Sequence, residues 1–387
     1  MSTTLDPAHL SRLVVGGGLL LGLALGAVGQ ATRFCVRGAL ADWVIFRGPA
    51  RLVSWLLAVA VGAVAVQGLI SAGAFDASRT LAWSERFLWL SYLVGGAIFG
   101  FGMMLAGGCP QRSLVKAGSG NLKSLIVLVI AAIAALMTLR GAFASWRVEG
   151  LDRWSVSLSG PQDLGSFLFR AASLPAEAVR WGLVLALLAG VLGLAWRVRA
   201  VLDRGHWLGG IVVGLLVAGA FLVTGQLGFL AEHPETLEPA WMGTQSRRPE
   251  GLSFAAPLAH GLDLLTLWTD KNTVATFGVM VALGVLAGSF ASARLRGEFH
   301  LESFQTPREL GLHVAGGVLM GFGGITAAGC SIGQGVTGLA MLSLGAVLAV
   351  TGMAAGAWCA LRLMQLREGK PGTAGTAAAP AHPQAQC

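Results

Sequence analysis

Residues 95–115 read GGAIFGFGMMLAGGCPQRSLV, and residues 316–336 read GGVLMGFGGITAAGCSIGQGV. Laid over one another without a gap, Gly95, Gly96, Gly100, Phe101, Gly102, Ala106, Gly108, Cys109 and Val115 meet the same residue types 221 positions later. A weaker echo joins GGLLLGL at 17–23 to GGIVVGL at 209–215. Each long copy starts as an apolar run and then breaks into glycine, cysteine and polar residues. What surrounds these breaks decides what the repeat means.

The chain has 387 residues, 55% of them hydrophobic and 12% charged, with a mean hydropathy of +0.70. So little charge cannot cover a soluble core of this size, and the composition is that of an all-α integral membrane protein. A bilayer-crossing helix needs roughly 20 mostly apolar residues. Nine stretches qualify: 13–31, 52–72, 87–106, 122–145, 180–198, 207–230, 274–293, 311–329 and 337–361. The first is too long for a secretory signal, has no clear small-residue cleavage site and recurs later in the chain, so it counts as a span. The long repeat pairs the third stretch with the eighth, and the echo pairs the first with the sixth. Both shifts are of five crossings, an odd number, which sets the copies in opposite orientations. The expected architecture is about nine transmembrane helices plus short re-entrant helices in an inverted pseudo-two-fold repeat. Residues 1–145 form the first repeat, 146–206 a connector with the fifth span, 207–365 the second repeat, and 366–387 a low-complexity, disordered tail.

Nine crossings place the termini on opposite sides. The face holding the loops near 32–51, 107–123, 197–206 and 294–310 and the C-terminus carries 16 cations against 6 acids, and the other face 11 against 13. The positive-inside bias therefore puts the C-terminus in the cytoplasm and the N-terminus outside. The formal charge of +8 follows from this topology, which leaves nucleic-acid binding a poor reading of it.

Three cysteines stand at breaks. In GGCPQRSLVKAG, Pro110 suits the first position of a short helix, where its missing N–H is no loss, and Cys109 becomes the cap. The free amides of such a helix attract anions. GCSIGQG should do the same for Cys330, with Ser331 and Gln334 adding polar atoms. Irregular backbone at membrane depth survives only where protein or a polar cavity satisfies it, so both breaks mark a pathway or site. Cys35, in RFCVRGAL, is flanked by Arg33 and Arg37. Those cations favour a thiolate, whereas apolar burial favours the thiol. Thiolates bind soft metals; neutral thiols offer S–H donors and polarisable sulfur to a sulfur-bearing anion. The basic surroundings, and the lack of acids in the broken stretches, favour the anion. Arg37, Arg112 and Lys116 either line its path or serve the positive-inside bias against lipid phosphates. Gly95 and Gly96 read as helix-packing surfaces, Cys359 as a small buried residue of the last span, and His313 as a hydrogen-bonded structural histidine. Segments 146–180 and 232–270, with Trp241 and Trp268, read as interfacial helices or a partial lid.

RFCVRGAL, GGCPQRSLVKAGSGN and AGCSIGQGVTG, in this order between residues 33 and 338, resemble the YeeE/YedE family of sulfur-compound transporters, whose characterised members import thiosulfate. The resemblance implies an hourglass-shaped inner-membrane bundle with cysteines along its central path. Cys35, Cys109 and Cys330 would then be successive contacts for thiosulfate or a related sulfur anion, through hydrogen bonds from S–H to sulfur. It also implies a small cytoplasmic sulfur-carrier-like partner. No cofactor, resident metal or catalytic constellation is expected, and no ATP-binding P-loop is present. Two alternatives stay open: a membrane sulfur transferase or redox protein that forms a cysteine persulfide, and a soft-metal channel.

Overall fold

A computed structural model describes residues 6–368 apart from 173, 174, 235 and 272. The expected tail from 369 onward, with Cys387, lies outside the described residues. In chain order the helices are α1 (Pro7–Thr32), α2 (Val36–Phe46), α3 (Ala50–Ser71), α4 (Trp89–Leu105), α5 (Pro110–Gly118), α6 (Leu122–Arg140) and α7 (Ala142–Ser145), then α8 (Leu164–Ala172), α9 (Ala176–Arg197), α10 (Arg204–Phe221), α11 (Ala255–Thr266), α12 (Phe277–Leu295), α13 (Pro307–Thr326) and α14 (Leu344–Glu368). Starts are written locally. Asp6 caps the Ala8 amide ahead of Pro7, Asn121 caps Ser124, and Thr306 caps Glu309 ahead of Pro307. The two β-ribbons, Arg86–Phe87 with Val156–Ser157 and Phe229–Leu230 with Ala240–Trp241, are two residues per strand.

Eight of the nine expected spans are helices long and apolar enough to cross a membrane; this is a multi-pass membrane protein. The exception is α13, whose glycines, Glu309 and His313 dilute its apolarity. It nonetheless runs between the same two ends as its neighbours. At one end Lys123 pairs with Glu302 and Glu309, Gln30 bonds Glu298, and Ser54 bonds the His206 carbonyl. At the other, Arg86–Phe87 pairs with Val156–Ser157, Arg140 pairs with Asp263, and the Leu164 amide bonds the Leu342 carbonyl. The last expected span is shifted: 337–361 becomes α14 from Leu344, because a π-helical turn over Gly333–Gly338 and a left-handed Leu342 (φ 54°) come first.

Glycine seams set the packing. Without a hydrophobic force between helices in lipid, small residues let backbones approach and gain dispersion contacts. Gly18, Gly22 and Gly26 bring α1 against the Phe277, Val281 and Val285 backbone of α12, while Gly210 and Gly214 bring α10 against Ser54 and Ala58 of α3. Gly96 and Gly100 bring α4 onto Ala349 and Met353 of α14, while Gly317 and Gly321 bring α13 onto Val127 and Ala131 of α6. Gly95 and Gly102 join α4 to α13. Each pairing thus has a counterpart: α1–α12 with α10–α3, and α4–α14 with α13–α6.

Two outer segments are ordered by specific ties. Asp163, with a fully buried side chain, pairs with Arg180 at 2.9 Å and caps α8 through the Ser166 amide. The Arg180 guanidinium lies 4.4 Å over Trp83, whose indole donates to the Met341 carbonyl. Arg180→Ala leaves a buried carboxylate without its cation, at an expected cost of about 3–5 kcal/mol. The thermal midpoint in detergent should drop accordingly, and a paired Asp163→Asn/Arg180→Leu variant should recover most of it. Within 232–270, α11 packs on α6, α12 and α13. Cys359 corrects the sequence expectation: it is exposed on the outer face of α14, where small size is tolerated because lipid packs without specificity. His313 Nδ1 donates to the Glu309 carbonyl (2.9 Å) and the ring meets Phe304 edge-on, as a structural histidine does.

Candidate functional site

Cys35, Cys109 and Cys330 each stand at the start of a helical turn, two residues after one in the left-handed conformation. Arg33 takes the left-handed conformation (φ 54°) at the end of α1, and Cys35 Sγ accepts the Gly38 amide at 3.2 Å. Gly107 (φ 70°) ends α4, and Cys109 precedes Pro110 of α5. Ala328 (φ 54°) ends α13, and Cys330 Sγ accepts the Gly333 amide at 3.4 Å. The Arg112 amide faces the Cys109 sulfur in the same i to i+3 relation without closing a capping bond. In all three cases the sulfur faces first-turn amides that have no partner within the helix itself.

The three thiols converge. Cys109 interacts with both Cys35 and Cys330 and lies against the Ser331 hydroxyl. All three are buried, Cys109 and Cys330 completely. Yet Ser331 Oγ, itself buried, has no hydrogen-bond partner of acceptable geometry. Nor do the amide oxygen and nitrogen of Gln111, which is fully buried on the first turn of α5 against Gly29 of α1. An unsatisfied buried polar group costs about 1–3 kcal/mol, and one such side chain follows each of Cys109 and Cys330 within two residues. Among the described residues, no three His, Cys, Asp or Glu side chains gather as a metal-holding group.

The other expected site residues divide. Arg112 is buried and donates through Nη1 to the Gly29 carbonyl at 3.1 Å, tying α5 to α1. Lys116 donates to the Gly107 carbonyl at 3.2 Å and closes the first break. Gln334 Nε2 donates to the Ala327 and Ala328 carbonyls at 2.8 and 3.1 Å and holds the end of α13. Arg37 is half-buried on α2, with its Nε unpartnered, and its charge acts on Asp42. The side chains of Arg112, Lys116 and Gln334 are thus engaged as scaffold around the breaks.

Sequence reasoning passed over Gln111, although its place directly after Pro110 was a usable signal. It also passed over Trp55 and Gln67 of α3, which donate to the Gly335 and Ala340 carbonyls and steady the second break. Nothing local announces those bonds, whose partners are 280 and 273 residues away. The second break also forms the floor of a cavity of about 460 Å³ that reaches Gly333, Gln334 and Thr337 from the end where α11 lies.

Among known proteins, the chain is similar to the thiosulfate transporter TsuA of Escherichia coli (strain K12), at 29% identity over 94% of this chain and 98% of that protein. It is also similar to the thiosulfate transporter TsuA of Spirochaeta thermophila, at 26% identity over 88% of this chain and 96% of that protein. A family model described as sulphur transport matches residues 31–359, from just before Cys35 to Cys359 within α14, and by that match the chain belongs to the sulphur-transport family.

Proposed function

We propose that this protein imports thiosulfate, or a closely related small sulfur-containing anion, by passing it along Cys330, Cys109 and Cys35. The observation that carries the reading is the convergence of three buried thiols on Cys109, beside the orphaned Ser331 hydroxyl and Gln111 amide. A terminal sulfur atom of the anion meets S–H donors and polarisable sulfur, while its oxygens meet hydroxyl, amide and helix-terminal N–H groups. The likeness to the two TsuA proteins, named as thiosulfate transporters, supports the same cargo.

The reading includes an inverted repeat, with residues 1–145 and 207–365 as its halves and 146–206 as connector. The paired counterparts α1–α12 and α10–α3, and α4–α14 and α13–α6, support it. On this view α5 and the Gly333–Gly338 turn are the opposed re-entrant segments. The membrane is the bacterial inner membrane, and the cation excess assigns the Lys123 end to the cytoplasm and the α11 end to the outside. Thiosulfate leaves chemically unchanged, so the protein is a transporter and not an enzyme. The family resemblance further suggests a small sulfur-carrier-like protein as cytoplasmic recipient.

Uptake of labelled thiosulfate into proteoliposomes tests the reading. Saturable uptake is expected, with sulfate a poor competitor because it lacks the terminal sulfur. Uptake no faster than in protein-free vesicles would overturn it, and a lasting sulfur adduct on a cysteine, seen by intact mass, would replace it with a transferase.

A further inference from the structure

The cavity of about 460 Å³ above the Cys330 break carries one carboxylate, that of Glu250. Its Oε1 accepts from the amide and hydroxyl of Ser246, at 2.8 and 2.5 Å. Its backbone is pinned to the Thr224 hydroxyl, in the π-helical turn Leu222–Leu227 that follows α10, by bonds of 3.0 and 2.8 Å. Glu250 has no salt-bridge partner among the described residues, and the groups that act on its carboxyl are those of Ser246 and Gln245. An ionised carboxylate without a cation, on the wall of a cavity, repels any dianion that enters.

We infer that Glu250 is a proton-binding group on the loading path, so that occupancy of this cavity by the anion is linked to uptake of one proton from the outer solution. The inference rests on the proposed import of a sulfur anion from the α11 end. It gives a cation to accompany a dianion that an inside-negative potential opposes.

The surroundings favour Glu250 as the titrating group. Burial pushes its carboxyl up, further than the hydrogen bonds from Ser246 and Gln245 bring it down. His260, on α11 and facing the same cavity, is displaced downward, first by burial and then by the Arg140 charge, so it stays neutral near pH 7. Tyr92 of α4 is the third titratable side chain among the described residues lining this cavity, beside Glu250 and His260. Arg140, Arg247 and Asp263 line an adjoining cavity of about 300 Å³ that shares Gln245, His260 and Thr276 with the first. Arg140 there is paired with Asp263 at 3.0 Å. The adjoining chamber thus carries Arg247 and the Arg140–Asp263 pair, and the acid without a cation lines the first.

The sign follows from linkage. Anion binding raises the Glu250 pKa further, so affinity is greatest below the free-state pKa and falls as pH rises towards the bound-state pKa. Calorimetric titration of thiosulfate into the full chain in lipid nanodiscs, from about pH 5 to 8 in buffers of differing ionisation enthalpy, reads both affinity and proton uptake. Wild type should bind up to about tenfold more tightly per pH unit of acidification, taking up close to one proton per anion. Glu250→Gln should bind with little pH dependence, and Glu250→Asp should keep a slope. A wild-type slope retained by Glu250→Gln, or thiosulfate binding by wild type with no slope and no proton uptake, overturns the proton link. Absence of thiosulfate binding by wild type at every pH overturns the transport reading beneath it.

Discussion

Replacing either Cys109 or Cys330 with alanine is expected to abolish growth on thiosulfate as sole sulfur source while the protein still inserts in the membrane. The two thiols are fully buried, so each substitution removes one sulfur atom from a packed interior. That truncation costs about 1–2 kcal/mol, well within what a folded bundle of this size tolerates. The functional loss is larger because no other group at either break offers an S–H donor. Ser331 is the sole hydroxyl among residues 327–335 of the second break, and its shorter, harder oxygen is a poor match for a sulfur atom. Cys→Ser should retain the fold and only a small part of the uptake. Cys359→Ala, on the exposed outer face of α14, should grow as wild type and serves as control. Uptake rates in cells expressing equal amounts of each variant check the effect, and full growth of both Cys109→Ala and Cys330→Ala would refute the thiol pathway.

The two breaks that carry these thiols were legible in the sequence to the extent that local chemistry wrote them. Cys-Pro after two glycines specifies a helix break with a cap, and α5 starts at Pro110 as that pattern requires. The long apolar runs gave the helices to within a few residues, save where breaks intervene. Residues 337–361 read as one span because Ala, Leu and Gly suit a helix and a tight turn alike, and the left-handed Leu342 has no compositional mark. Contacts formed across the fold were not legible. The Cys35 cap depends on Arg33 adopting a positive φ, and the Trp55 bond to the Gly335 carbonyl depends on α3 lying beside the second break. Cys359 misled for the opposite reason: in a bilayer an apolar residue does not reveal which way it faces, since lipid and protein interior are alike to it. Glu250 escaped notice because its significance comes from the cavity, which residues distant in sequence enclose.

Gly100→Leu is expected to collapse the bundle, whereas Gly190→Leu should leave it intact. A β-carbon at Gly100 would meet the carbonyl oxygen and Cα of Met353 on α14, and one at Gly356 would meet the Ala97 backbone of α4. The partners are main chain, which cannot rotate away as a side chain can, so the two helices must separate along their shared seam. Overpacking in a tight interior costs about 1–3 kcal/mol or more; here the seam between α4 and α14 is lost as well, and the expected cost stands at the top of that range. Gly190 on α9 has nothing within 4 Å of the added atom, and leucine there gains the helix propensity that glycine lacks. Size-exclusion chromatography of the detergent-solubilised variants reads the contrast directly: a monodisperse peak for Gly190→Leu, and aggregate or loss of expression for Gly100→Leu. A milder Gly100→Ala should remain folded in part and still lose uptake, because α4 leads into Cys109 four residues beyond its end at Leu105. Any shift of that helix carries the thiol away from Ser331 and Cys330. If Gly100→Ala transports at the wild-type rate, the α4–α14 seam does not position the thiol.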